Sequence, residues 1–318
     1  MRAAVIGAGV IGTLHAEILA EKNMLCAVCD IDETKLKKYN CAGFTDYKTM
    51  IDTVKPDCVH ICTPHYLHAE MVIYALDRGV NVLCEKPLCI KREQIKAIIE
   101  AEKRSKAQLG VCLQNRYNKE NVFVKEYLKD KNVKCAAAHV AWRRTKEYYN
   151  SADWRGKYAT EGGGVLINQA LHTLDLLQYF AGMPDKITAS VSNLTLKDSI
   201  EVEDTAVIQS TSGAGISLFA SVGCAADMPV VITVKTDNET IQIYPGAVMI
   251  NGVMAVIEKT TEKPRGKECY GSSHGLLIED FYKRIAENRR FEIDGEEASK
   301  VVRLVLAAYD SGGNETEV

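Results

Sequence analysis

The chain lacks several features that would have fixed its class at once. Its longest apolar stretches fall well short of the about 18 residues a membrane-spanning helix requires. No segment rich in Pro, Gly or Ser separates one part from another, no internal repeat occurs and no low-complexity tract interrupts it. The domains are therefore expected to dock closely. Charge of one sign is scarce in excess. Thirty-nine basic against 42 acidic residues leave a net charge of −3, which argues against nucleic acid or an anionic membrane as the main partner. The eleven cysteines have no framework spacing, although nine fall within the first 135 residues. Cys58, Cys62 and Cys112 sit inside apolar strand-like runs, as free thiols of a reducing cytosol do. Cys26 and Cys29 are spaced C-x-x-C, but on a strand they face opposite ways and no second Cys/His pair follows, so no metal site is expected. Glycines break up the apolar N-terminus as far as Leu14, a poor core for a signal peptide. A cytoplasmic address follows as the expectation.

What is present suits two domains of unequal size: 318 residues, 47% apolar and 25% charged. The first third alternates short apolar runs with amphipathic ones. Strands are expected at Ala3–Ile6, Leu25–Cys29, Cys58–Cys62, Val80–Leu83 and Gln108–Leu113. Helices are expected at Val10–Glu21, Asp32–Tyr39, Asp46–Thr53, His65–Arg78 and Lys91–Lys106. Such alternation implies right-handed βαβ units and a doubly wound parallel sheet covered on both faces. Beyond about residue 120 the period changes. A helix over Val165–Phe180 precedes strands with two-residue alternation: Ile187, Ala189 and Val191 share one face, as do Ile216, Leu218, Ala220 and Val222, and Val230, Ile232 and Val234. This is the pattern of an α+β domain with a largely antiparallel sheet, closed by helices near Gly275–Asn288 and Glu296–Asp310.

Gly7-Ala8-Gly9-Val10-Ile11-Gly12 is a G-x-G-x-x-G run placed between the first strand and the first helix. The first glycine permits the turn, the second lets backbone approach a pyrophosphate, and the third lets helix and strand pack closely. The helix N-terminus adds free N–H groups and its positive dipole end. Asp30 follows Gly12 by eighteen residues at the end of the second strand. A carboxylate there can bind both ribose hydroxyls of NAD and repel the 2′-phosphate of NADP. Lys or Arg from elsewhere can offset that preference.

Glu85-Lys86-Pro87 follows the Val80–Leu83 strand directly, on the side where doubly wound sheets bind ligands. On the expected Val165–Phe180 helix, Ile167, Ala170, Leu171, Leu174 and Leu177 form an apolar stripe. Asn168, His172 and Asp175 form a polar one roughly 130° away. His172, flanked by Asn and Asp behind the triple glycine Gly162–Gly164, is a candidate general base.

These pieces occur in one order: the glycine fingerprint, Thr63-Pro64 with His68, Glu85-Lys86-Pro87, and a glycine-rich turn ahead of His172. Together they resemble the glucose–fructose oxidoreductase / inositol dehydrogenase (Gfo/Idh/MocA) family over nearly the whole chain. The resemblance implies a Rossmann domain over 1–117 and a substrate-binding and oligomerisation domain with an open sheet over 118–318. It implies hydride transfer at a secondary alcohol of a sugar, polyol or sugar nucleotide, with NAD as cofactor and NADP less favoured. It also implies that Lys86 and His172 are catalytic and that Thr63, Pro64, His68 and Glu85 lie along the cofactor. A homodimer or homotetramer through the C-terminal sheet is implied as well. Many members carry Asp where this chain has Asn168, and an amide orients but does not titrate. Asn168-Gln169-x-x-His172, Tyr148-Tyr149, Trp154-Arg155-Gly156, Gln114–Asn118 and Ile200–Asp204 are similar to the branch that includes UDP-N-acetyl-glucosaminuronate 3-dehydrogenases. On that likeness Trp154 and Arg155 join the cofactor contacts, and Arg116, Tyr149, Asn168, Gln169 and His172 the substrate contacts. Arg116, Arg143, Arg144 and Arg155 suit a carboxylate or phosphate. Tyr148, Tyr149 and Trp154 suit a sugar face or simply the core. Two rival readings stay open: an NAD-dependent glycosidase that oxidises, eliminates and re-reduces, and a non-catalytic ligand sensor.

Overall fold

Short apolar strands flanked by amphipathic helices have one stable solution, a parallel sheet sealed between helical layers. The computed structural model describes residues 1–258 and 273–318 and divides them into two compact units. The first holds strands β1 (Ala3–Ile6), β2 (Leu25–Cys29), β3 (Ala42–Phe44), β4 (Cys58–Ile61), β5 (Asn81–Cys84) and β6 (Leu109–Val111). Its helices are α1 (Val10–Glu21), α2 (Glu33–Leu36), α3 (Tyr47–Val54), α4 (His68–Leu76) and α5 (Arg92–Arg104). The strands run in the order β3-β2-β1-β4-β5-β6, every pair parallel. The chain reverses its winding between β1 and β4, the crevice where such sheets bind ligands. All residues of β1 and β4 are buried. Cys29, Cys58, Cys62, Cys84, Cys89 and Cys112 are free and buried, so these thiols serve as small core residues. Cys26 and Cys29 differ in exposure, as opposite faces of β2 require. Cys269 lies outside the described residues.

The second unit holds α6 (Lys119–Tyr127), β7 (Val133–Ala141), α7 (Lys146–Asn150), α8 (Leu171–Ala181), β8 (Pro184–Ser192), β9 (Thr205–Gly213), β10 (Gly215–Ser221), β11 (Val231–Thr236), β12 (Thr240–Tyr244), β13 (Ala247–Ile250) and β14 (Val253–Met254). The last elements are α9 (Ser273–Ala286), α10 (Gly295–Ser311) and β15 (Glu315–Glu317). Nine strands line up as β14-β13-β12-β11-β7-β10-β9-β8-β15, and of these pairs β7–β10 alone is parallel. Leu218 of β10 sits between Ile208 and Ala138 in register, all on the face covered by α8. On the opposite face Val207 and Phe219 remain exposed.

Three local expectations change. The helix expected over Val165–Phe180 begins only at Leu171; residues 165–169 form turns. A buried carboxylate holds the turns ahead of it. Glu203 accepts the N–H groups of Gly164 (2.8 Å) and Leu166 (3.0 Å), and its carbonyl accepts that of Val165 (3.0 Å). Asn168 thus lies outside α8, the regular helix that carries His172 and Asp175. The charged run Asp32–Tyr39 is helical only at Glu33–Leu36. Finally, the division expected between residues 117 and 118 treats each domain as one continuous stretch, whereas Ser273–Ser299 belongs with the first unit. There Val111 donates to the Ile293 carbonyl, and Phe281 and Phe291 pack so closely on Gly110 that a Cβ would lie within 2.9 Å of both rings. The boundary then falls inside α10, with Lys300 onward in the second unit.

Candidate functional site

The glycine fingerprint folds as its spacing requires. Gly7 has φ +93°, and a Cβ there would stand 2.6 Å from the Cys62 carbonyl oxygen; one on Gly12 would stand 1.7 Å from that of Gly7. Gly9 differs, since a Cβ there would meet nothing within 4 Å. It is the N-cap of α1, brings no capping side chain, and is followed by no acid in the first turn. Val10 beside it is 71% exposed. The start of α1 is thus an open cradle of N–H groups that fits a pyrophosphate. Asp30 closes its far side. One carboxylate oxygen accepts the Ala8 N–H (2.7 Å), and the other accepts the Asp32 N–H (2.9 Å) and Lys35 Nζ (3.3 Å). The acid assigned to the ribose therefore also holds the glycine loop, with a lysine beside it.

The ends of β4 and β5 carry Thr63, Pro64, Glu85 and Lys86. Thr63 and Pro64 are half-buried, and Pro64 caps the turn His65–Leu67. His68 is wholly buried. Its ring nitrogens lie 2.8 Å from the Thr63 carbonyl oxygen and 2.7 Å from that of Pro87. It ties the two loops together from behind. Burial lowers its pKa despite these bonds, so the neutral ring donates to one carbonyl at a time.

Glu85 sits in a polar pocket that sequence reading missed. Its Oε1 lies 3.0 Å from His15 Nε2 and 3.5 Å from His274 Nε2, and its Oε2 accepts the Lys86 N–H (3.2 Å). The Cys112 thiol, pushed well up by burial, also bonds this carboxylate. Behind it, His15 Nδ1 meets His60 Nδ1 (2.8 Å), and His60 Nε2 meets the Tyr282 hydroxyl (2.8 Å). Burial works to raise the Glu85 pKa, but the His15 and His274 hydrogen bonds outweigh it and hold the carboxyl well below its ordinary range. Burial first of all pushes His15 down and His60 well down. An ionised carboxylate beside neutral His15 and His60 is the consistent state.

The second unit gathers the other candidates. From Glu161 to Gln178 every residue is buried except Asn168 and His172. Asn168 donates its amide to Glu161 Oε1 (2.5 Å), while Glu161 Oε2 accepts the Gly156 N–H (2.5 Å). The Gln114 amide nitrogen lies 3.2 Å from His172 Nε2. The amide donates, so Nε2 accepts with its lone pair. Arg116 was expected to meet substrate; its guanidinium is committed instead to Asp175 through two bonds of 2.8 and 2.6 Å, both side chains buried. That pair fixes the Gln114–Tyr117 turn against α8, and with it Gln114 against His172. Tyr149 packs with Ile200 and Val202 in the core rather than offering a sugar face. Gln169 donates to the Tyr148 hydroxyl (3.3 Å). Arg155 bonds the Tyr148 carbonyl (3.2 Å) and Ser151, and stacks on the Tyr148 ring; half-buried Trp154 follows the same turn. The triple glycine answers to packing, since a Cβ on Gly163 would stand 1.9 Å from the Tyr309 hydroxyl. Glu161 carried no sequence signal of its importance, and Glu203 stood out only as part of the Ile200–Asp204 run. His15, His60 and His274 could not be joined without the fold.

A parallel sheet with a glycine cradle at its switch point, and a separate α+β unit presenting a histidine beside an amide, define a two-domain dinucleotide-binding oxidoreductase fold. The chain belongs to the Gfo/Idh/MocA family: residues 1–113 match the oxidoreductase family's NAD-binding Rossmann fold, and residues 132–242 match the GFO/IDH/MocA C-terminal domain. It is 30% identical over 195 residues to the D-glucoside 3-dehydrogenase of Escherichia coli, covering 58% of this chain and 55% of that protein. It is 26% identical over 189 residues to the myo-inositol 2-dehydrogenase of Thermotoga maritima, covering 57% and 55%. The chain thus spans about half the length of the curated relatives it matches. The structure of the WlbA dehydrogenase from Chromobacterium violaceum in complex with NADH and UDP-GlcNAcA is similar with a TM-score of 0.85 at 26% identity, covering 100% of this chain and 96% of that one.

Proposed function

We propose that this protein is an NAD-dependent dehydrogenase acting on a secondary alcohol of a sugar, polyol or sugar nucleotide. The leading candidate is C3 of a UDP-N-acetylhexosamine or its uronate. The observation that carries the reading is the pair Asn168 and His172, the two residues of an otherwise buried stretch that reach the surface. The open cradle at Gly9, the family, and relatives that act on glucosides and inositols support it. The WlbA dehydrogenase complex with UDP-GlcNAcA supports the sugar-nucleotide choice.

When bound, NAD+ supplies the hydride acceptor. Gly7, Gly9, Val10, Ile11 and Gly12 hold its pyrophosphate, Asp30 its ribose, and Thr63, Pro64, Trp154 and Arg155 its remaining length. His68 and Glu85 act from behind that surface. His172 takes the hydroxyl proton as the alcohol is oxidised, its Nε2 exchanging the Gln114 amide for the substrate hydroxyl. It suits that task because its ordinary pKa of about 6.5 lies near neutrality, against about 10.4 for lysine. Lys86 steadies the same oxygen as negative charge develops on it. Asn168 orients the sugar, while Gln169, Arg116 and Tyr149, each buried, support that surface from behind. The reading extends to a cytoplasmic homodimer or homotetramer paired through the nine-stranded sheet, whose exposed Val207 and Phe219 support it.

The test is NAD+ reduction, followed by NADH absorbance, across free sugars, inositols, uronates and UDP-sugars. Turnover on one of these classes is expected. Cofactor binding with no turnover on any of them would refute the enzyme reading in favour of a sensor. Sugar release without net NADH would favour the glycosidase.

A further inference from the structure

Apart from Glu85, the charged pocket behind Lys86 has no part in the reaction just described, yet all five of its groups are buried. Five groups from four elements converge there: His15 from α1, His60 from β4, Glu85 from the end of β5, and His274 and Tyr282 from α9. The exposures of Glu85 and Tyr282 are 6% and 7%; the histidines are lower still. We infer that His15 and His274 are positioning residues for Lys86, acting through the Glu85 carboxylate that receives Lys86's own backbone N–H. Lys86's catalytic part rests on the dehydrogenase reading; the positioning itself does not.

The hydrogen-bond directions form one consistent set. Glu85 only accepts, so His15 donates from Nε2. A neutral His15 then accepts at Nδ1, which requires His60 to donate from its Nδ1. His60 Nε2 therefore accepts, and the Tyr282 hydroxyl donates to it. No ring can flip without breaking two bonds in a site closed to water, so the chain holds Glu85 in one orientation. His274 braces Oε1 from the other side at 3.5 Å. Oε2 is left facing the backbone of Lys86 at 3.2 Å. The same three ligand atoms, from His15, Glu85 and His274, lie within 4.8 Å of one another and make the competing reading a bound divalent metal.

The experiment reads tautomers and exchange before activity. In 15N-labelled protein at neutral pH, His15 should be protonated on Nε2 and His60 on Nδ1; the opposite tautomers would overturn the inference. His274→Leu removes the brace, whereas His274→Gln keeps a donor. Hydrogen exchange at the Lys86 amide should accelerate about tenfold or more in His274→Leu and stay near wild type in His274→Gln. Turnover should follow the same split, with kcat lowered in His274→Leu and the KM for NAD+ held within about twofold. Equal behaviour of the two variants, or unchanged exchange in His274→Leu, would overturn the inference, as would a chelatable equivalent of zinc in purified protein. Should wild type turn over none of the sugars, the dehydrogenase reading fails while tautomers and exchange still decide this one.

Discussion

Three imidazoles sealed in the first unit give the molecule a calculable weakness to acid. His15, His60 and His68 are each 0% exposed, and burial is the largest cause holding each below its ordinary pKa. In the unfolded chain each takes up a proton near pH 6.5. The unfolded state therefore binds more protons below that pH, and stability falls as pH falls until the folded pKa is reached. If the folded rings stay neutral, moving from pH 7.5 to 5.5 costs about 1.4 kcal/mol per histidine, or roughly 4 kcal/mol for three. Glu102 opposes this. Burial and then the neighbouring Asp294 raise its pKa to about 7, so it stabilises the fold on protonation over the same window. Partial exposure holds that offset to about 1 kcal/mol. The net loss of about 3 kcal/mol should lower Tm by roughly 5 °C. Urea denaturation at both pH values measures it directly. His60→Gln should begin less stable yet lose about 1.4 kcal/mol less across the window. An identical pH slope in His60→Gln and wild type would refute the reasoning, whatever their absolute stabilities.

The remaining expectations concern the site. His172→Ala should lower kcat by about 10²–10⁴ while NAD+ binding, followed by fluorescence, stays intact. Asp30→Ala should raise the KM for NAD+ by about tenfold and narrow discrimination against NADP+, because Lys35 remains beside the vacated position; steady-state kinetics with both cofactors decides it. Arg116→Ala strands the Asp175 charge in the core and should cost about 3–5 kcal/mol in urea denaturation. Arg116→Lys should recover only part, since an ammonium cannot make the paired bonds.

What could be read from the chain beforehand was what is local. The glycine run, Asp30 and the Glu85-Lys86-Pro87 turn announce themselves because each needs particular residues at fixed short spacing. The alternation Ile216, Leu218, Ala220, Val222 marked β10 for the same reason, and all four are buried. Local pattern misled where a distant group outbids it. Val165 to Ala170 has helical apolar spacing, but its start is held as turns against Glu203, and the Ala170 N–H reaches five residues back to the Val165 carbonyl. β7, with its Ala136-Ala137-Ala138 run, carries little strand signal; it is a strand because it lies between β10 and β11 beneath α8. Arg116 is charged in a motif that suits phosphate, and only the fold discloses Asp175 as its partner.

The return of Ser273–Ser299 to the first unit also sets an order of events during synthesis. Domains generally fold as units, N-terminal first, as the chain emerges. Here the cofactor-binding half comes first yet stays unfinished while most of the second unit is made. Until α9 arrives, Gly110 lacks its cover of Phe281 and Phe291, and Glu85 lacks His274. The half that would hold the dinucleotide is thus completed only once α9 has been made, so a chain truncated before Ser273 would lack both the cover over Gly110 and the His274 partner of Glu85.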